Sequence, residues 1–213
     1  MRSGRAPTCR GPRTRGARRL DTGTWSGGWW SRARRVPSPH ENERPANADV
    51  DLVLLHSISL PPGCYGGDEI ERLFTGRLDA DAHPYFAGLR DLKVSAHFVI
   101  RRDGEVLQFV DVSRRAWHAG ASSWRGREAC NDFSVGIELE GLEGLAFEAS
   151  QYEALVPLLC ALRRRLPIAQ IAGHEHVAPG RKGDPGAGFD WHRLASRLAW
   201  PREAIPFASP RRS

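Results

Sequence analysis

From Asp51 onward the hydrophobic pattern sharpens into distinct elements. The run Asp51-Leu-Val-Leu-Leu-His56-Ser-Ile58 is short and almost wholly apolar, as in a strand buried on both faces, and Pro61, Pro62 and Gly63 close it. Asp68 to Phe74 places Ile70, Leu73 and Phe74 at helical spacing before the stop at Gly76, while residues 79–93 read as loop. Two apolar runs, 94–102 and 105–110, flank Asp103-Gly104 and predict an antiparallel hairpin with a two-residue turn. Phe133 to Glu140 alternates, which puts Phe133, Val135, Ile137 and Leu139 on one strand face and Glu138 and Glu140 on the other. Ser150-Gln-Tyr-Glu153 has the form of a capping box. The stripe Leu155, Val156, Leu158, Leu159 and Leu162 then predicts a core-facing helix, kinked at Pro157. A brief strand over 168–172 leads to Gly173-His174, and a last helix over 189–198 is expected with Asp190 as its cap.

Strands and helices mix without regular alternation, so the expected fold class is α/β (α+β), a central mixed β-sheet flanked by helices. Residues 25–50, with Trp25, Trp29 and Trp30, read as an irregular lead-in. The Gly- and Trp-rich stretch from Trp117 to Asn131 is too polar for core, and loops of that size in compact domains are usually functional. At 213 residues, 40% hydrophobic and 26% charged, the chain suits one folded domain. The boundaries read as a disordered basic extension at 1–24, a domain at 25–200 and a tail at 201–213.

The net charge of +6 suggests an anionic partner until its location is considered. Residues 1–24 hold seven Arg and one Asp, whereas the other 189 residues carry 24 basic and 24 acidic side chains. The domain is neutral, so a nucleic-acid partner is not expected. The basic extension lacks the apolar stretch of a secretory signal, and no segment reaches the ~18 uninterrupted apolar residues of a membrane span. The four cysteines show no paired spacing. A monomer in the cytoplasm, with neither membrane nor nucleic acid as partner, is the expectation.

Candidate chemistry gathers in Gly173-His174-Glu-His176-Val-Ala-Pro-Gly-Arg-Lys182-Gly-Asp184-Pro-Gly186, a loop punctuated by Pro and Gly. Catalytic zinc takes three ligands drawn from imidazole and carboxylate and leaves a fourth position open. His174 and Asp184 could supply two and His56 the third, although spacing alone is only suggestive.

Five runs occur in one order: Leu55 to Gly63, Ser95 to Glu105, Arg115 to Gly120, Cys130 to Gly141, and His174 to Gly186. Together they resemble the zinc-dependent N-acetylmuramoyl-L-alanine amidases, the family shared with bacteriophage-type lysozyme amidases and peptidoglycan recognition proteins. Within it they are most similar to the branch acting on 1,6-anhydromuramyl peptides in cell-wall recycling. The resemblance implies Zn2+ held by His56, His174 and Asp184, Glu138 as general base and Lys182 as stabiliser of the oxyanion. It also implies substrate contacts at Ser57, Lys93, Trp117, His118, Asn131 and Arg181. Ala96 stands where phage-type relatives carry Tyr, which favours Glu138 as the base. Ser57, Lys93 and His176 depart from the familiar residues. Competing expectations are an amidase acting on intact wall, a zinc-free wall-binding module and Glu140 as a rival base; His97 is expected to support the site by hydrogen bonding rather than to bind metal.

Overall fold

The computed structural model describes residues 20–205. Its centre is a six-stranded mixed sheet of β1 (Arg34–Arg35), β2 (Leu52–Ile58), β3 (Phe98–Ile100), β4 (Val106–Gln108), β5 (Ser134–Glu140) and β6 (Gln170–Gly173). The spatial order is β6-β2-β5-β3-β4-β1. Neighbours from β6 through β3 run parallel, β4 returns antiparallel to β3, and β1 lies parallel to β4. The helices are α1 (Glu69–Phe74), α2 (Pro84–Ala87), α3 (Ala149–Arg165), α4 (His174–Val177) and α5 (Trp191–Arg197).

Strand alternation divides the core. Val53, Leu55, Val135, Ile137 and Leu139 pack with Leu155, Leu158, Leu159 and Leu162 of α3 and Leu194 of α5. Each fully buried Leu here contributes roughly 1.5–3 kcal/mol of transfer free energy. Leu52 and Leu54 belong instead to a cluster with Cys130, Ala172 and Val177, so by alternation His56 lies on this second face. Further along it, Ile70, Leu73, Phe74 and Phe86 of α1 and α2 pack with Val99, Leu107 and Phe109.

Several expectations shift. Ladder pairing between β3 and β4 ends at Ile100↔Val106. Gly104 N–H donates to Arg101 O, and Gly104 sits at φ +93°. Arg102-Asp103 therefore form the centre of the turn, and Gly104 is the left-handed residue after it, a longer hairpin loop than a two-residue turn. A Cβ at Gly104 would meet Ser150 O at 3.0 Å. Helix α3 starts at Ala149, where Gln151 Oε1 accepts from Glu148 N–H at 2.9 Å, while Ser150 Oγ donates to Arg102 O. The cap thus lies two residues upstream of Ser150-Glu153, and α3 continues through Pro157. The stretch expected as loop contains α2, opened by His83 Nδ1 accepting Tyr85 N–H and by Pro84. Asp190 caps α5 as expected, accepting from Arg193 N–H at 2.8 Å.

The basic extension through residue 19 and the tail from residue 206 lie outside the described residues. The packed chain exceeds the expected domain at both ends: Thr22 O accepts the Trp30 indole N–H at 2.8 Å, and Ala204 and Ile205 are buried in the main core. Among the described residues no helix is long and apolar enough to cross a membrane.

Candidate metal centre and active site

Three adjacent parallel strands deliver the site at their carboxyl ends, where open sheets place ligands. His56 lies near the end of β2, Glu138 is its register partner on β5, and His174 follows β6, whose Gly173 pairs with Leu55. Asp184 comes from the loop after α4, and its carbonyl accepts Glu175 N–H at 2.9 Å, which ties that loop to the helix.

His56 Nδ1, His174 Nδ1 and Asp184 Oδ2 form a triangle with sides of 2.9, 3.1 and 3.2 Å. The outer imidazole nitrogens have their own partners: His174 Nε2 lies 3.0 Å from Ala119 O, and His56 Nε2 lies 3.0 Å from His118 Nδ1. A neutral imidazole has one N–H. With those protons directed outward, three lone pairs converge with no proton between them, an arrangement that calls for a cation. Tetrahedral zinc with bonds of about 2.0–2.1 Å holds its ligands ~3.3 Å apart, close to the observed separations. The three residues could hold a metal, and their chemistry fits zinc. Without a metal, a proton can occupy one of these contacts: burial would raise the Asp184 pKa, but the adjoining His174 and His56 imidazoles outweigh it and hold the carboxyl well below its usual range. Burial lowers His56, against the hydrogen bond to Asp184.

Glu138 is buried, and its Oε2 accepts no hydrogen bond from any described residue. Burial first, then the nearby Asp184 charge, pushes its pKa well above 4.5, partly offset by Lys182. An orphaned carboxylate oxygen in a cleft is poised to take a proton from a ligand. Lys182 is exposed to the same cleft, close enough for its charge to act on both Glu138 and His56.

The cleft encloses about 530 Å³. Ser57, Trp117, His118 and Arg181 line it, as does an apolar wall of Leu60, Phe74, Tyr85, Leu89, Leu92 and Val94. Trp117 is held by its indole N–H on Asn42 Oδ1 at 2.6 Å and by stacking on His40. Three expected contacts are placed differently. Lys93 is exposed and outside the lining, because its neighbours Leu92 and Val94 take the inward positions. Asn131 is buried behind the cleft, its Oδ1 accepting the N–H groups of His118 and Ala119 at 3.1 and 2.8 Å. Arg181 reaches the rim, but its Nη2 donates to Ala119 O and Ala121 O.

His176 is not in the donor triangle; its Nδ1 accepts Gly173 N–H at 2.8 Å. His97 supports the sheet, with Nδ1 accepting Gly136 N–H at 3.0 Å, and burial pushes its pKa down to about 3. Glu140 is committed to Arg101 Nη1 at 3.0 Å, Arg102 N–H at 3.1 Å and Gly66 N–H at 2.7 Å. Glu140→Gln is therefore expected to lower stability by about 3 kcal/mol through an under-compensated Arg101, while zinc content stays unchanged. Thermal melts and metal analysis of one preparation check both. The sequence did not reveal that Glu143 also lines the cleft, nor the apolar wall, whose residues come from separate segments. Sequence reasoning also missed Gly136, although a glycine inside an apolar strand signals close approach. A Cβ there would lie 2.5 Å from His118 Cγ.

A sequence profile described as N-acetylmuramoyl-L-alanine amidase matches residues 46–187, a stretch that contains all three donors, Glu138 and Lys182. The 1,6-anhydro-N-acetylmuramyl-L-alanine amidase AmpD of Citrobacter freundii is 55% identical over 169 residues, 78% of this chain and 90% of that one. A crystal structure of a selenomethionine AmpD derivative superposes with a TM-score of 0.80 at 53% identity, covering 82% of this chain and 99% of that one. The amidase AmiD of E. coli, solved with the substrate anhydro-N-acetylmuramic acid-L-Ala-D-gamma-Glu-L-Lys, matches with a TM-score of 0.52 at 29% identity. That match covers 73% of this chain and 60% of AmiD. With the profile spanning most of the chain and the AmpD relatives matched over at least 90% of their length, this chain belongs to the N-acetylmuramoyl-L-alanine amidase family.

Proposed function

We propose that the protein is a zinc-dependent amidase that hydrolyses the lactyl–L-Ala amide of 1,6-anhydromuramyl peptides in peptidoglycan recycling, acting as a monomer in the cytoplasm. The observation that carries this reading is the convergence of three metal-donor atoms, two imidazole nitrogens and one carboxylate oxygen, in the cleft that also holds the unpartnered Glu138 Oε2. High identity to AmpD over most of the chain supports the choice of substrate.

His56, His174 and Asp184 would hold the metal. Zinc there supplies Lewis acidity, polarising the scissile carbonyl and making water acidic near pH 7. Glu138 takes a proton from the attacking water and returns it to the departing L-Ala amine, so that one water is consumed and one acid and one amine are released. Its raised pKa suits both halves of that exchange. Lys182 faces the negative charge that develops on the carbonyl oxygen.

Incubation with anhydromuramyl tripeptide and, separately, with intact wall tests the substrate. The expected result is release of the tripeptide from the soluble fragment at a rate far above any release from wall. Faster release from intact wall would overturn the recycling assignment.

A further inference from the structure

We propose that His118 is a positioning residue for the metal site rather than a substrate contact, fixing His56 as the tautomer whose Nδ1 lone pair points at the metal. This rests on the metal-site reading above. Its basis is a hydrogen-bond chain with one consistent direction. Ser134 Oγ donates to Cys130 O at 2.6 Å, which leaves its lone pairs toward His118 Nε2 at 3.4 Å. With its proton on Nε2, His118 presents Nδ1 as the acceptor for His56 Nε2–H at 3.0 Å. His56 Nδ1 is then bare on the side of His174 and Asp184.

Packing holds His118 for this task. The two rings meet edge to face at an interplanar angle of 82°. Gly136 on β5 makes room, since any Cβ there would lie 2.5–2.6 Å from three His118 ring atoms. Asn131 Oδ1 clamps the His118 backbone N–H. The next residue does the same for the other imidazole, because Ala119 O accepts from His174 Nε2 at 3.0 Å. One two-residue segment, pinned by Asn131 and Arg181, thus orients both histidine ligands. Partners of this kind typically set ~10–100-fold in metal affinity.

Two measurements on the full chain test the proposal. In the zinc-loaded parent, long-range ¹H–¹⁵N correlation spectra should show His118 protonated on Nε2 and unprotonated on Nδ1; protonation on Nδ1 would overturn it, with no variant needed. Competition with a chromophoric chelator should show His118→Leu binding zinc ~10–100-fold more weakly than the parent. His118→Asn, whose Oδ1 can replace Nδ1 as acceptor, should stay within about threefold of it. Equal weakening in both variants would assign the effect to packing, and parental affinity in His118→Leu would remove any role; either contradicts the proposal. A parent that binds no zinc would instead sink the metal-site reading itself.

Discussion

Replacing Glu138 with Gln is expected to lower kcat/KM on anhydromuramyl tripeptide by ~10²–10⁴-fold, the usual contribution of a positioned general base, while the chain still takes up one zinc ion. Gln preserves shape but cannot accept and return a proton, and Glu138 is not one of the three donors that form the metal triangle. The same variant carries a stability signature. Burial raises the Glu138 pKa above 4.5, so the folded state binds the proton more tightly than the unfolded chain. Its contribution is therefore most favourable below the ordinary value of 4.5 and is lost as pH rises toward the folded pKa. Zinc-free Glu138→Gln should accordingly melt at a higher temperature than the zinc-free parent at pH 7, and the gap should close below about pH 4.5. Lower activity together with higher stability at neutral pH is what a strained catalytic carboxylate predicts, and a merely structural Glu138 would give the opposite sign in the melt.

Replacing His174 with Ala should abolish both zinc retention and turnover. The residue contributes one corner of the donor triangle, and its removal leaves two ligands at positions too few for a catalytic zinc site. The loss should also be visible without substrate. At a zinc concentration 100 times Kd, the parent gains about 2.7 kcal/mol of stability from binding, and the variant should gain almost none at that concentration. Metal analysis after gel filtration, with paired melts in zinc and in chelator, separates this from simple misfolding: a folded variant melts sharply in both conditions at nearly the same temperature.

Leu52–Ile58 was legible because a parallel strand buried on both faces appears as a dense apolar run, whereas Ser134–Glu140 was legible from alternation although both its faces are buried. The turn at Arg102-Asp103 and the cap at Glu148 were shifted from their expected places by contacts made across the fold. Ser150 Oγ reaches Arg102 O, and Gln151 Nε2 reaches the carbonyls of Ile100 and Glu140. No local signal records those partners.

The candidate site divides in the same way. His56, His174 and Asp184 were reachable from donor chemistry and the ordered motifs, and the structure brings their ligand atoms within 4.8 Å of one another. Whether a polar side chain faces the cleft or braces it is decided by neighbours distant in sequence. Asn131 turns toward two backbone N–H groups and Arg181 toward two carbonyls, so neither presents those polar atoms to a substrate. The apolar wall was invisible because its members, from Leu60 to Val94, are brought together only by α1, α2 and the sheet edge.

The donor triangle most directly predicts that amide hydrolysis depends on the metal. The decisive measurement strips the full chain with chelator and titrates zinc back while following release of tripeptide from anhydromuramyl tripeptide. The predicted result is loss of turnover on stripping and recovery that saturates at one zinc per chain in the parent, with no recovery in His174→Ala. Undiminished turnover after complete zinc removal would contradict it.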